Sequence, residues 1–299
     1  MTARRITAED LAFVQSLMAA PQMHSHKPDP TLPTQAAIAA AHGETFSHWE
    51  RHGLGRYVVM AGDTKVGLCG LSVRRGFPGL NLSYHLRPQD WGKGWASLLT
   101  NGLVTLADAS LKVPYLHGLA RPANPASSRV LQKTGFRNAG EVQLGGAPSQ
   151  LWVRALGKAD PIVFYGGAWQ PLVVETASGL VLEVPVDMGH SDRRYCLRIA
   201  PGDLAALHAM PDRAAIAFAT LHALGQTAPA SSVPRGTPSM NLALTKVLHA
   251  PGNALSPWLT AQDRSHNGAI SNLLRLNTQA DMAALRAGQW LPLPIARDA

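Results

Sequence analysis

The sequence predicts a mixed α/β domain with a mostly antiparallel sheet, followed by a separate α+β domain, and three observations lead there. Between Arg56 and Leu86, short β-type runs follow one another through tight turns, the pattern of an antiparallel meander. From Leu80 to Leu111 a strand passes through a glycine-containing turn into an amphipathic helix, so helices and strands are interleaved. At Gly157-Lys-Ala-Asp-Pro161 a short polar stretch interrupts the pattern, and 299 residues suit two domains of about 150 residues better than one. The expected division is 1–158 and 159–299.

Taken in order, Thr7 to Met18 opens with a capping threonine and Asp10 three residues on, and its Leu11, Val14, Leu17 and Met18 repeat at helical spacing. A Pro- and His-containing loop from Pro21 to Pro33 precedes a second helix from about Thr34 to Arg51. Arg56 to Met60 and Lys65 to Val73 form a hairpin around Gly62-Asp63, and Leu80 to Leu86 adds a strand that Pro88 stops. Leu98, Leu99, Leu103, Val104 and Leu106 are spaced for a helix from Trp95 to Leu111 lying on a sheet. A strand at Tyr115 to Ala120, a helix at Pro125 to Lys133 and a strand at Leu151 to Arg154 complete the first domain, with Cys69 expected in its core. In the second, β-type runs at 162–165, 172–175, 180–184 and 195–199 precede helices at 203–209 and 212–224. His190, Asp192, Arg193 and Arg194 read as a polar loop between strands. Thr227 to Ser239 reads as a loop, Leu242 to Leu248 as a strand, and 269–276 and 279–287 as helices, the last capped by Thr278 with Asp281.

Composition narrows the function classes. With 46% hydrophobic and 15% charged residues the chain is a globular protein rather than a disordered one. Two distant cysteines, Cys69 and Cys196, make no disulfide framework or metal motif, and there is no run of about 18 apolar residues or signal-like start, so a cytoplasmic protein without a membrane span is expected. Lys and Arg outnumber Asp and Glu by 17 to 9 up to Ala159, while the remainder balances at 10 to 10. The excess positive charge therefore sits in the first half and suits an anionic ligand there; with Lys246 as its one lysine, the second half is poorly equipped to track a nucleic-acid backbone.

Gln89-Asp-Trp91-Gly92-Lys93-Gly94-Trp95-Ala96 lies between a strand and an amphipathic helix. Glycines at alternate positions let the backbone approach a diphosphate, with amide hydrogens and the helix N-terminus binding its charge and Lys93 adding a cation. Taken alone, Gly92 and Gly94 would equally serve any tight turn. The segment, however, resembles the acetyl-CoA-binding motif of the GNAT acetyltransferase superfamily, Gln/Arg-x-x-Gly-x-Gly/Ala, with Gln89, Gly92 and Gly94 in the defined places. Trp-Gly-Lys-Gly-Trp-Ala is similar to the branch that acetylates ribosomal-protein N-termini and some antibiotics. Asn124-Pro-Ala-Ser127 with Lys133-Thr-Gly135-Phe136 matches a second segment of that branch, and the resemblance covers residues 3–155.

The resemblance implies a GNAT fold whose fourth and fifth strands splay apart to hold acetyl-CoA between Leu82–Leu86 and Tyr115–Ala120. It implies cofactor contacts from Leu86, Gln89, Trp91, Gly92, Lys93, Gly94, Trp95, Ala96, Asn124 and Ser127, with Ser127 also assisting the departing thiolate. Ser127 reads equally as a hydroxyl of the helix's first turn. The reaction implied is direct attack of a primary amine, on a small molecule or a peptide, upon the thioester. Here the sequence departs from the pattern, because a glutamate base of many relatives is replaced by Asn81 and a tyrosine acid by Leu131. His85 and His117, on the two splayed strands, are then the nearest titratable candidates for catalysis. The missing glutamate keeps open a second reading, an acetyl-CoA-binding regulatory protein of weak activity. The second domain could bind a partner in an antitoxin- or immunity-like way or form a homodimer. No metal is expected: His24 and His26 lack further ligands and read as a flexible substrate-side loop.

Overall fold

In a computed structural model, residues 1–167 and 169–296 are described, and the chain divides into two compact units, Met1–Ile162 and Val163–Ala299. The first contains β1 (Thr2–Arg5), α1 (Leu11–Met18), α2 (Gln35–His52), β2 (Arg56–Ala61), β3 (Thr64–Val73), β4 (Leu80–Leu86), α3 (Trp95–Leu106), β5 (Tyr115–Ala120), α4 (Pro125–Lys133), β6 (Arg137–Leu144) and β7 (Ala147–Ala155). They build a seven-stranded sheet in the order β1-β2-β3-β4-β5-β7-β6, antiparallel except where β4 meets β5. The mixed, mostly antiparallel architecture is the one expected; β1 and β6 were not.

Alternation along the strands divides the core. Val58 and Leu68 face Ile6, Val14, Leu17 and Ile38 on the side of α1 and α2. Val59, Cys69, Leu71, Leu82 and Leu86 face the other way, onto Leu99, Leu103 and Val104 of α3. Cys69 lies in that core, and burial drives its thiol up to about 12. Helix α3 runs on into a π-helical turn, Ala107–Leu111, before β5.

The start of α1 is held by Asp10, whose carboxylate is wholly buried. It accepts two hydrogen bonds from Arg4 at 2.7 and 2.9 Å and one from the Thr7 amide at 2.9 Å, and the Lys65 ammonium stands 2.7 Å away. These donors, Arg4 first, outweigh burial and hold the carboxyl far below the usual range. Asp10→Asn is expected to lower the unfolding free energy by about 2 kcal/mol, less than for a sealed pair because Arg4 and Lys65 keep access to water. A carboxylate with a depressed folded pKa contributes above its unfolded pKa and loses that contribution as pH falls. Urea unfolding should therefore show the deficit near pH 7 and a smaller one at about pH 3.

The second unit carries a four-stranded sheet, β11-β10-β9-β8, formed by β8 (Ile162–Tyr165), β9 (Leu172–Thr176), β10 (Gly179–Asp187) and β11 (Asp192–Ile199). The α-helices that follow are α5 (Pro201–Ala209), α6 (Pro211–Thr227), α7 (Pro238–His249), α8 (Gly252–Ser265), α9 (Ala269–Thr278) and α10 (Met282–Arg286). Leu182, Val184, Val186, Tyr195 and Leu197 share a core with Ile216, Leu221, Leu244 and Trp290. Three expectations are corrected. Leu242 to Leu248 is not a strand but part of α7, because Thr237 caps a helix through the Met240 amide and Met240, Ala243, Leu244, Val247 and Leu248 all point inward. Asp192, Arg193 and Arg194 belong to β11 rather than to a loop, and Arg194 meets Glu183 of β10 at 2.6 Å. The last helix is capped by Asp281, not Thr278. Among the described residues no helix is long and apolar enough to cross a membrane.

Candidate active site

Strand β4 pairs with β3 along its whole length, from Leu80↔Val73 to Leu86↔Gly67, but with β5 only at Leu80↔Leu116 and Asn81↔His117. Beyond those two pairs the strands part. The backbone of Leu82 to Leu86 therefore faces a gap instead of a neighbouring ladder, an arrangement that can receive an extended ligand as an added strand. Gly118, Leu119 and Ala120 line the opposite side, and the gap opens into a cleft of about 1210 Å³.

One wall of the cleft is the turn between β4 and α3. Asp90 is buried and holds it closed, accepting from Arg87 Nε and from Lys93 Nζ, both at 2.7 Å, while Trp91 Nε1 donates to the Leu86 carbonyl at 2.8 Å. Gly92 and Gly94 both have φ +77°, a left-handed conformation that other residues adopt only with strain, and a Cβ on either would meet nothing within 4 Å. Gly94 caps α3 without any side-chain partner, leaving the first amides of the helix for an anion.

Leu86, Trp91, Gly92, Gly94, Trp95, Ala96, Asn124, Ser127 and His85 line this cleft. Gln89, Lys93 and His117 do not line it. Lys93 is held by Asp90 and lies 5.0 Å from the Trp95 ring centre. His117 is fully buried, its Nδ1 2.9 Å from the Pro78 carbonyl and its ring stacked on Phe77, with Nε2 unpartnered. Burial lowers it to about 4, against the opposing effect of the Pro78 bond. His85 is lowered to about 3, first by burial and then by the charges of Arg56 and Lys27, so its imidazole is neutral at ordinary pH.

Asn124 acts as the cap of α4, its Oδ1 accepting from the Ser127 amide at 3.2 Å. The Ser127 hydroxyl accepts in turn from Tyr84 Oη at 3.4 Å. Tyr84 was not singled out from sequence, although its place on β4 predicts this: Leu80, Leu82, Tyr84 and Leu86 share one face by strand alternation. Asn81 and His85 lie on the other face, and Asn81 Nδ2 donates to Ser72 Oγ at 3.4 Å. His24 is not in a free loop. It is buried, with Nε2 2.7 Å from the Met18 carbonyl and Nδ1 2.8 Å from Lys27 Nζ. Among the described residues no three His, Cys, Asp or Glu side chains are grouped to hold a metal.

Residues 1–137 match the family model of the acetyltransferase (GNAT) domain, and no family model covers the rest of the chain. No curated protein matches the chain. Similar solved structures include an acetyltransferase from Agrobacterium tumefaciens str. C58, with 20% identity, 51% of this chain and 89% of that chain covered, and a TM-score of 0.45. AAC(6')-Ib with ribostamycin and coenzyme A shows 21% identity, coverage of 52% and 92%, and a TM-score of 0.45. RimL, a ribosomal α-N-protein acetyltransferase with coenzyme A, shows 15% identity, coverage of 52% and 93%, and a TM-score of 0.45.

Proposed function

We propose that the first unit is an acetyl-CoA-dependent N-acetyltransferase, which moves an acetyl group to a primary amine by direct attack in a ternary complex. The observation that carries this reading is the parted β4 and β5, flanked by the Gly92–Gly94 turn and by Tyr84 and Ser127, all on one cleft. The residues fit acetyl-CoA: the open space at both glycines admits a diphosphate to the α3 amides, and the free edge of β4 can bond an amide-bearing arm.

In the reaction the amine nitrogen bonds to the acetyl carbon, the carbon–sulfur bond breaks, the sulfur gains a proton and the nitrogen loses one. The chain's part is to position the two reactants, to polarise the carbonyl with a β4 amide, and to manage those two protons. Tyr84 and Ser127 form a hydroxyl pair that can donate toward sulfur, Ser127 directly and Tyr84 by supporting it. His85, unprotonated and on the cleft-facing side of β4, can accept a hydrogen bond from the amine or from a bridging water, but with its pKa lowered to about 3 it is a weak base, so the amine proton leaves through water to solvent.

Ser127→Ala is expected to reduce kcat about tenfold with acetyl-CoA affinity within about twofold, and Tyr84→Phe to give a smaller loss of the same kind. Thiol release over an amine panel, with calorimetric titration of acetyl-CoA, checks both. A second reading, acetyl-CoA sensing without turnover, is favoured by Asn81, which cannot take up a proton and is engaged with Ser72. Tight acetyl-CoA binding without thiol release from any amine would establish the sensor and exclude the enzyme.

A further inference from the structure

The wall of the cleft formed by β2 and the loop after α1 carries the cations Arg56 and Lys27, and Arg56, half-buried, lacks a counterion. Arg56 of β2, Gly70 of β3 and Ser83 of β4 are paired across the sheet, so Arg56 and Ser83 share the face that also carries His85. Farther along that face, Val58 and Leu68 are sealed by α1 and α2, whereas Arg56, Ser83 and His85 open into the cleft. Among the described residues the Arg56 guanidinium makes no ion pair and no side-chain hydrogen bond. Burial alone depresses its pKa, yet a guanidinium remains charged at any ordinary pH.

The surrounding groups do not compensate it. Lys27 is a second cation on the same wall, and its ammonium is held by the His24 imidazole at 2.8 Å rather than by a carboxylate. Asp29 is exposed and accepts from the Thr31 amide at 2.9 Å. Glu44 is exposed and its nearest cation is Arg51, at 3.9 Å. Asp90 is occupied by Arg87 and Lys93. A half-buried guanidinium with no partner is incompletely solvated, and an entering anion offsets that cost.

We propose that the acceptor is a primary amine that also carries a carboxylate, and that Arg56 binds the carboxylate through its N–H groups with Lys27 alongside. The proposal rests on the acetyl-transfer reading and supplies the acceptor class which that reading leaves open. Planar guanidinium and carboxylate match as a two-bond pair, so the contact would orient the amine as well as attract it. The same wall disfavours polycationic acceptors, whose charges it would repel.

The test uses the full chain and acceptor pairs that differ at one group: glycine, alanine and serine against their carboxamides, and C-terminally amidated Ser-Asp and Ser-Glu peptides against equally amidated Ser-Asn and Ser-Gln. At least one acid is expected to show a KM about tenfold or more below that of its amide. Arg56→Met, which keeps the aliphatic stem, should abolish that ratio while leaving acetyl-CoA affinity within about twofold, and Arg56→Lys should restore part of it. Calorimetric titration of the same pairs onto the coenzyme A-saturated protein should give the same ratio without turnover. Equal values for every acid and its amide overturn the proposal, as does an acid preference that survives Arg56→Met. A loss of acetyl-CoA binding in Arg56→Met, matching the loss for the acid, also overturns it by placing Arg56 on the donor. If the wild-type chain binds no acetyl-CoA, the acetyl-transfer reading fails separately, and the acid and amide titration without coenzyme A still decides what Arg56 binds.

Discussion

Replacing Gly92 and Gly94 together by valine is expected to weaken acetyl-CoA binding on the order of 100-fold while the first unit stays folded. Both residues sit at φ +77°, and an added Cβ meets no protein atom within 4 Å, so the substitution acts through the backbone conformation and by filling the space a diphosphate would enter. A β-branched residue in the left-handed region costs about 1–2 kcal/mol, and two such costs together exceed what the turn can absorb without changing shape. A reshaped turn no longer aims the α3 amides at one point, and the anion site depends on that convergence. Calorimetric titration measures the affinity and circular dichroism confirms the fold. Unchanged affinity in the folded double variant would remove the turn from the donor site, and with it the main support for acetyl transfer.

Gly79→Ala is expected to destabilise the first unit by about 3 kcal/mol or more. Gly79 has φ +64° immediately before β4, and a Cβ there would overlap the carbonyl group of Tyr115 at the start of β5. Backbone occupies that space, so no rotamer change can relieve the overlap, and β4 and β5 would be forced apart at the end where their two residue pairs lie. Gly62→Ala is the control, since Gly62 has φ +59° with nothing within 4 Å of its Cβ and should cost only about 1 kcal/mol. Urea unfolding of the two variants separates the conformational cost, common to both, from the overlap, which only Gly79 carries. Equal losses would mean that the close approach of Gly79 to Tyr115 does not constrain the sheet.

Where local spacing decides the structure, the sequence was readable. Helix α2 begins beside Thr34 and the hairpin turns at Gly62-Asp63, both where the spacing put them, and Thr34 proves to be the cap of α2. Gly92 and Gly94 form the left-handed turn into α3. What could not be read depended on distant partners. Thr2–Arg5 has no alternation of its own and becomes β1 only by lying against Tyr57 to Met60. Leu242 to Leu248 alternates enough to imitate a strand, but Thr237 starts a helix earlier and the apolar positions then fall three and four apart, leaving Leu242 exposed. Helix α8, which has Pro257 inside it, was not expected. At the candidate site, the glycine turn, Asn124 and Ser127 were visible as a local motif. Tyr84, Arg56 and the engagement of His24 with Lys27 depended on which face of the sheet each residue took and on what stood opposite.

Because β4 gives hydrogen bonds to β3 throughout but to β5 at only two residues, the seven strands behave as two panels, β1 to β4 and β5 to β6, joined at one corner. Gly79, Pro78 and the buried His117 sit at that corner, on backbone and ring contacts that leave little slack. The angle at which the two panels part is set at this joint, by residues that do not themselves line the cleft.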